Sequence, residues 1–242
     1  MNRILLALRF GFVALCVWVS PTFAVTIPFT EEFDTTNENW KNSLSNLSVN
    51  ATGISTGGPD GVGDTFIRST FTTGATGIPS SSQVLFRARN TVNSSDNEFF
   101  GDWIANDVET LDFWFRHAAP TSLFVGLRIP TANGFPAMLG RFPVAVEPNT
   151  WTHLSMEINN TNPELLDETG NTHNNFNDVF SNITSIQIFA NLSGQANSAT
   201  YNFDLDAVRV VTEASSIALG AIGMASVVGL DARRRQLQSR SN

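Results

Sequence analysis

YNFDLDAVRVV, residues 201–211, decides the fold. Tyr201, Phe203 and Leu205 fall on one side of an extended chain, and the apolar side resumes at Val208 and Val210 after a break in register. Alternation with a period of two marks a strand that has one face in a core. ETLDFWF, residues 109–115, repeats the pattern: Leu111, Phe113 and Phe115 point one way and Trp114 the other. Working outward, short runs of β-branched and aromatic residues alternate with clusters of Gly, Asn, Ser and Thr. The candidate strands are Thr26–Phe33, Leu44–Asn50, Thr65–Phe71, Gln83–Arg89, Glu109–Phe115, Leu123–Ile129, Pro143–Glu147, Thr152–Ile158, Ile183–Ala190 and Tyr201–Val211. Between residues 25 and 212 almost nothing carries a helical period, save Asn162–Glu168, a short helix or a turn. The pattern predicts an all-β protein, two packed antiparallel sheets in a β-sandwich of the jelly-roll type.

Charge and cysteine usage narrow the function classes. The chain has 242 residues and a net charge of −8. The basic residues concentrate at its ends, so residues 25–212 hold 8 basic against 20 acidic side chains and carry −12. Such a surface repels phosphates, which excludes nucleic acid as a partner, and it offers carboxylates to a divalent cation. Cys16 is the only cysteine, so the body has no disulfide, cysteine nucleophile or thiolate metal site. Residues 25–212 are long enough to bury one core.

The two ends read as addresses. Residues 1–24 have the form of a secretory signal peptide: Arg3 and Arg9, an apolar stretch Phe10–Val19, Pro21, and small residues at Thr22 and Ala24 before Val25. The competing reading is a permanent N-terminal anchor. Residues 213–242 begin with Glu213, run apolar from Ile217 to Leu230 and close on Arg233, Arg234 and Arg235. That order resembles the PEP-CTERM sorting tail of exported bacterial proteins, with Thr212, Glu213 and Ala214 where the usual Pro-Glu-Pro stands. The resemblance implies a C-terminal hydrophobic helix in the inner membrane, arginines on the cytoplasmic side, and export and sorting-protease machinery as partners. A buried C-terminal core helix is the alternative.

EEFDTTNENW (31–40), the Gly57–Gly61 loop, FFGDW (99–103), TWTHLSMEI (150–158) and FDLDAVRVV (203–211) follow one another along the body. In that order they resemble the galactose-binding-like jelly roll of carbohydrate-binding modules and the laminin B-type domain. The resemblance implies a structural Ca²⁺ where the first and last strands meet the loop after the second, at Glu32, Asp60, Asp64 and Asp206. Carboxylates and loop carbonyls supply the oxygens that Ca²⁺ requires. Asp60 and Asp64 also suit ordinary turns.

Sugar binding calls for an exposed aromatic plane beside hydrogen-bond donors. Trp114, facing away from Phe113 and Phe115, is the candidate platform, with Arg116 and Arg128 as donors near the ends of consecutive strands. Core packing is an equal reading of Trp114, and Trp40 and Trp151 read as core or edge residues. For glycoside hydrolysis the only carboxylate-rich strand is Asp107-Val-Glu109-Thr-Leu-Asp112, in which Asp107 and Glu109 share a face and Asp112 does not. His117, His153 and His173 lack zinc-ligand spacing. These features predict a non-catalytic exported cell-envelope protein that binds envelope or matrix polysaccharide. A structural or adhesive surface protein acting through protein contacts is the alternative, and a hydrolase the third reading.

Overall fold

The computed structural model describes residues 25–212 except 35, 43–48, 74–81, 171 and 197. The signal peptide, the sorting tail with Glu213, Arg233, Arg234 and Arg235, and most of the candidate strand Leu44–Asn50 lie outside the described residues. Among those described, no helix is long and apolar enough to cross a membrane.

The strands are β1 (Phe29–Glu31), β2 (Thr52–Ile54), β3 (Phe66–Thr72), β4 (Ser82–Arg89), β5 (Thr110–His117), β6 (Leu123–Pro130), β7 (Ala137–Val146), β8 (Thr152–Glu157), β9 (Leu165–Asp167), β10 (Ser185–Asn191) and β11 (Thr200–Val211). They form an antiparallel sandwich of two sheets. The front sheet runs β2-β3-β11-β5-β8, with β1 also paired to β11; the back sheet runs β4-β10-β6-β7-β9. β11 organises the front sheet. One edge pairs with β5 throughout, while the other takes β3 against its first half and β1 against its second. Where β3 gives way to β1, β11 bulges: the register against β5 shifts between Asp206 and Arg209, and Ala207 has φ of 46°. The break in apolar alternation at 206–208 is this bulge, which adds a residue and lets Val208 and Val210 return to the core.

The core lies between the sheets. Leu111, Phe113, Phe115, Phe203, Leu205 and Val208 of the front sheet are buried against Phe86, Leu127, Ile129, Ile186 and Ile188 of the back. Ring pairs cross the gap edge-on, Phe86 to Phe115 at 6.5 Å and Phe113 to Phe142 at 5.2 Å between centroids. Each such side chain contributes about 1.5–3 kcal/mol by burial, which suits a body without disulfides. Trp40 is core, its Nε1 donating to Ser95 Oγ.

Two local expectations change. Asn162–Glu168 holds no helix: a turn leads into β9, where Leu165 and Asp167 face inward and pair with β7. The helix lies further on, at α1 (Phe176–Phe180). It is a single turn seated by buried Phe176, Val179 and Phe180, and the Asp167 carboxylate accepts from the backbone N–H groups of Asn174 and Asn175 just before it. The seventh expected strand also grows, since Pro143–Glu147 is only the end of β7.

A carboxylate cleft beside Trp114

The outward positions of the front sheet make three polar rows. In the first, Asp204 lies between Arg68 on β3 and Arg116 on β5. Its buried carboxylate accepts from both guanidinium groups, at 2.6 Å from Arg68 Nε and 2.7 Å from Arg116 Nη2. In the next row Asp206 is opposite Trp114, and Trp114 is opposite His153 on β8. In the third, Arg209 reaches Asp112, whose carboxylate also takes His153 Nε2 at 3.1 Å.

A loop, residues 55–64, lies over the first two rows. Its anchor is the Gly57 carbonyl, which accepts from Arg116 Nη1 at 3.2 Å and from Trp151 Nε1 at 3.0 Å. Arg116 also stacks over the Trp151 ring, 4.4 Å from its centroid, and over Phe66 at 5.0 Å. Arg116 is thus a latch that holds the loop and Asp204, its guanidinium taken up by Asp204, the Gly57 carbonyl and the Trp151 ring. The loop closes on itself through Asp60 N–H to Asp64 Oδ2 at 2.7 Å and Gly58 N–H to the Asp64 carbonyl. Gly58 makes the close approach feasible: a Cβ there would stand 2.3 Å from Asp64 Oδ2 and 3.0 Å from Asp206 Oδ2.

This brings the candidate metal residues together. Glu32, Asp60 and Asp64 line an open cleft of about 400 Å³, and Asp206 lies under it against Gly58 and Asp64. Asp206 is 1 % exposed; Oδ1 accepts from the Ala207 N–H, and Oδ2 has no partner. Burial, then the neighbouring Asp64, Glu32 and Asp60 carboxylates, push its carboxyl up to about 8. Burial, then Asp34, Asp64 and Asp60, raise Glu32 as well. Among the described residues no three His, Cys, Asp or Glu side chains already close on one point as a finished metal centre. The donor chemistry nevertheless fits a hard cation. Asp206 presents an orphaned buried oxygen, the missing side chain of Gly58 lets the loop backbone sit against the Asp64 and Asp206 carboxylates, and Glu32 and Asp60 are exposed beside them.

Trp114 shares this cleft. It is half-buried, tilted against His153 at 5.2 Å between ring centroids, and lines the same opening as Thr30, Pro59, Asp112 and Arg209. The platform and the carboxylates, read separately in the sequence, are two walls of one site. His153 and Arg209 escaped the sequence reading. Both lie at outward positions one strand from Trp114 or Asp112, a relation that only the sheet order reveals.

Arg128 is not in this site. β5 and β6 are consecutive in the chain but belong to different sheets, so Arg116 and Arg128 face opposite sides of the sandwich. Arg128 pairs with Glu168 at 2.8 Å and donates to the Gly134 carbonyl. Of the carboxylate run, Asp107 and Glu109 line another cleft while Asp112 lines that of Trp114.

No protein-family model matches the chain, and no curated protein is detectably similar in sequence. Solved structures share the architecture. The family 11 carbohydrate-binding module of a cellulosomal cellulase of Clostridium thermocellum is 13 % identical, with 78 % of this chain and 96 % of that one covered and a TM-score of 0.45. The CBM22-1 and GH10 modules of an endo-1,4-β-D-xylanase of the same organism give 8 % identity over 76 % of this chain, TM-score 0.46. This chain spans only 28 % of that xylanase chain. The L4b domain of human laminin alpha-2 gives 15 % identity over 60 % of this chain and 98 % of that domain, TM-score 0.36. These likenesses concern the fold and say nothing of a ligand.

Proposed function

We propose that this is a non-catalytic exported cell-envelope protein whose jelly roll binds envelope or matrix polysaccharide at the Trp114 cleft. One observation carries the reading: a half-exposed tryptophan plane stands in a polar cleft, flanked by His153, Asp112 and Arg209 and walled by carboxylates. A sugar ring stacks its C–H face on an aromatic plane and spends its hydroxyls on such donors and acceptors. Glu32, Asp60, Asp64 and Asp206 would hold a structural Ca²⁺, which supplies positive charge to the orphaned Asp206 oxygen and ties β1, the loop and β11 together. Residues 1–24 direct export, and the C-terminal helix with Arg233, Arg234 and Arg235 holds the protein at the inner membrane for sorting. The competing reading, a structural or adhesive surface protein, draws on Phe124, Phe135 and Val144, which are 59 %, 56 % and 54 % exposed.

Retention of the full chain, in non-ionic detergent, on a panel of immobilised neutral polysaccharides tests the reading. Binding to one class in calcium, lost in Trp114→Ala with little change in melting temperature, is the expected result. No retention on any class, or a Trp114→Ala variant destabilised by the several kcal/mol typical of a truncated core aromatic, would sink the Trp114 site and favour the adhesive reading.

A further inference from the structure

The back sheet carries the opposite charge. Residues 25–212 contain seven arginines. The three on the front sheet, Arg68, Arg116 and Arg209, are all ion-paired to Asp204 or Asp112. Four lie on the back sheet, and among the described residues only Arg128 has a carboxylate partner. Register places these side chains together: Arg87 on β4 is opposite Gln187 on β10, and Gln187 is opposite Arg128 on β6. Arg89 follows two residues on from Arg87, on the same outward face. Arg87 is only 7 % exposed, with no partner for Nε, and Gln187 beside it is 2 % exposed with no partner for Oε1. Residues 74–81, which lead into β4 in the chain, and residues 43–48, which follow Lys41 and Asn42, contain no carboxylate that could complete the row.

An aromatic surface adjoins the cations. Gly126 on β6 has no side chain, and the Phe189 ring of β10 lies across it: a Cβ there would meet Phe189 Cζ at 2.2 Å. Arg141 on β7 is opposite Gly126 and exposed. The outward face therefore sets an aromatic ring beside a row of guanidinium groups, one of them buried with its Nε unpartnered. A buried cation among like charges is costly unless an anion completes it, and burial with the Arg89 and Arg128 charges draws the Arg87 guanidinium down to about 10.

We propose that the outer face of the back sheet is a second binding face, for an anionic polysaccharide, whose carboxylate or sulfate oxygens are held by Arg87 and Arg89. Arginine suits either group because its planar fork donates two parallel hydrogen bonds. The half-exposed Arg89 forms the entrance and Arg87 the floor, with Phe189 under the sugar plane and Arg128, paired with Glu168, at the border. The polymeric nature of the ligand rests on the polysaccharide reading above; the oxyanion contact rests on the arginine row alone. In a body of net −12, one cationic face selects the orientation in which an acidic polymer approaches.

Affinity electrophoresis of the full chain through gels containing polygalacturonate, dextran sulfate or neutral dextran tests the proposal, with Arg87→Gln/Arg89→Gln and Trp114→Ala as variants. Retardation by polygalacturonate or dextran sulfate, weakened about tenfold or more in the arginine variant and by added salt, is the expected result. Polygalacturonate alone identifies uronate as the source, and dextran sulfate alone identifies a sulfate ester. The arginine variant should melt no lower than the parent, so loss of binding is not loss of fold. Equal retardation by neutral dextran, indifferent to the arginines, overturns the anionic face and leaves the polysaccharide reading standing. Loss of acidic-polymer binding in Trp114→Ala moves the ligand to the other cleft and overturns the proposal. Thermal stabilisation by inorganic sulfate without retardation by either polymer overturns the polymeric ligand, and no response to any anion overturns the site itself.

Discussion

The front and back sheets are built by the same alternation yet treat charge in opposite ways. On the front, every arginine meets a buried aspartate, and the surplus carboxylates gather under a glycine loop. On the back, arginines stack in register with too few carboxylates to answer them. The difference teaches that net charge describes a molecule poorly. A body of −12 holds one face where carboxylates gather and another where arginines do, because strand order sorts side chains that lie far apart in sequence. Paired charge on the front serves structure. The exceptions to pairing are single buried atoms, Oδ2 of Asp206 on the front and Nε of Arg87 on the back.

The sharpest way to break this comparison is to remove the front sheet's central acceptor. Asp204→Ala strands Arg68 and Arg116 and frees the loop latch. A loss of about 3 kcal/mol in denaturant unfolding is expected, the usual range for one partner of a buried pair, reduced slightly because both arginines are partly exposed. A loss below 1 kcal/mol would mean that the front pairs are as decorative as surface ones.

Next in size is the effect of calcium and pH at Asp206. Its carboxyl is held up to about 8 in the fold but ionises near 4 in the unfolded chain. The folded state therefore keeps a proton that the unfolded state releases. In chelator, stability is full below about pH 4 and declines as pH rises toward 8. Saturating Ca²⁺ should flatten that slope and add roughly 2–3 kcal/mol at neutral pH, read as a rise in melting temperature of several degrees. Asp206→Asn should abolish both the slope and the calcium response. A melting temperature indifferent to added Ca²⁺ would remove Glu32, Asp60, Asp64 and Asp206 from the metal site.

The arginines supply a smaller contrast. Arg116→Met should cost about 1–3 kcal/mol, through the orphaned Asp204 and Gly57 contacts, whereas Arg87→Met should be neutral or slightly stabilising. Equal losses would show that Arg87 is also structural. Smallest is the single ion pair of the back sheet. Glu168→Ala, facing Arg128, should change stability by less than about 1 kcal/mol.

Much of this was legible along the chain. Leu111, Phe113 and Phe115 inward with Trp114 outward follows from alternation alone, as does the register break that becomes the bulge at Ala207. Glu32, Asp60 and Asp64 line one cleft with Asp206 beneath it, a neighbourhood that the family resemblance implied and that alternation along the chain could not supply. The helix at Phe176–Phe180 was illegible: one turn carries no periodicity, and tertiary contacts of its buried aromatics hold it. Asn162–Glu168 misled because a run of three strand residues is too short to show its period against helix-permitting neighbours.

By itself, the sequence determined which residues point in and which point out, since the pleat of an extended chain is a local property with a period of two. It also determined that the body is acidic, free of cysteine and rich enough in apolar residues for one core. Only the tertiary structure decided who stands beside whom. Arg116 and Arg128 looked like companions and lie on opposite faces, because the chain crosses from one sheet to the other between them. Arg87, Gln187 and Arg128 looked unrelated and form one row, because strand pairing joins segments whose separation along the chain carries no information about their neighbours in space.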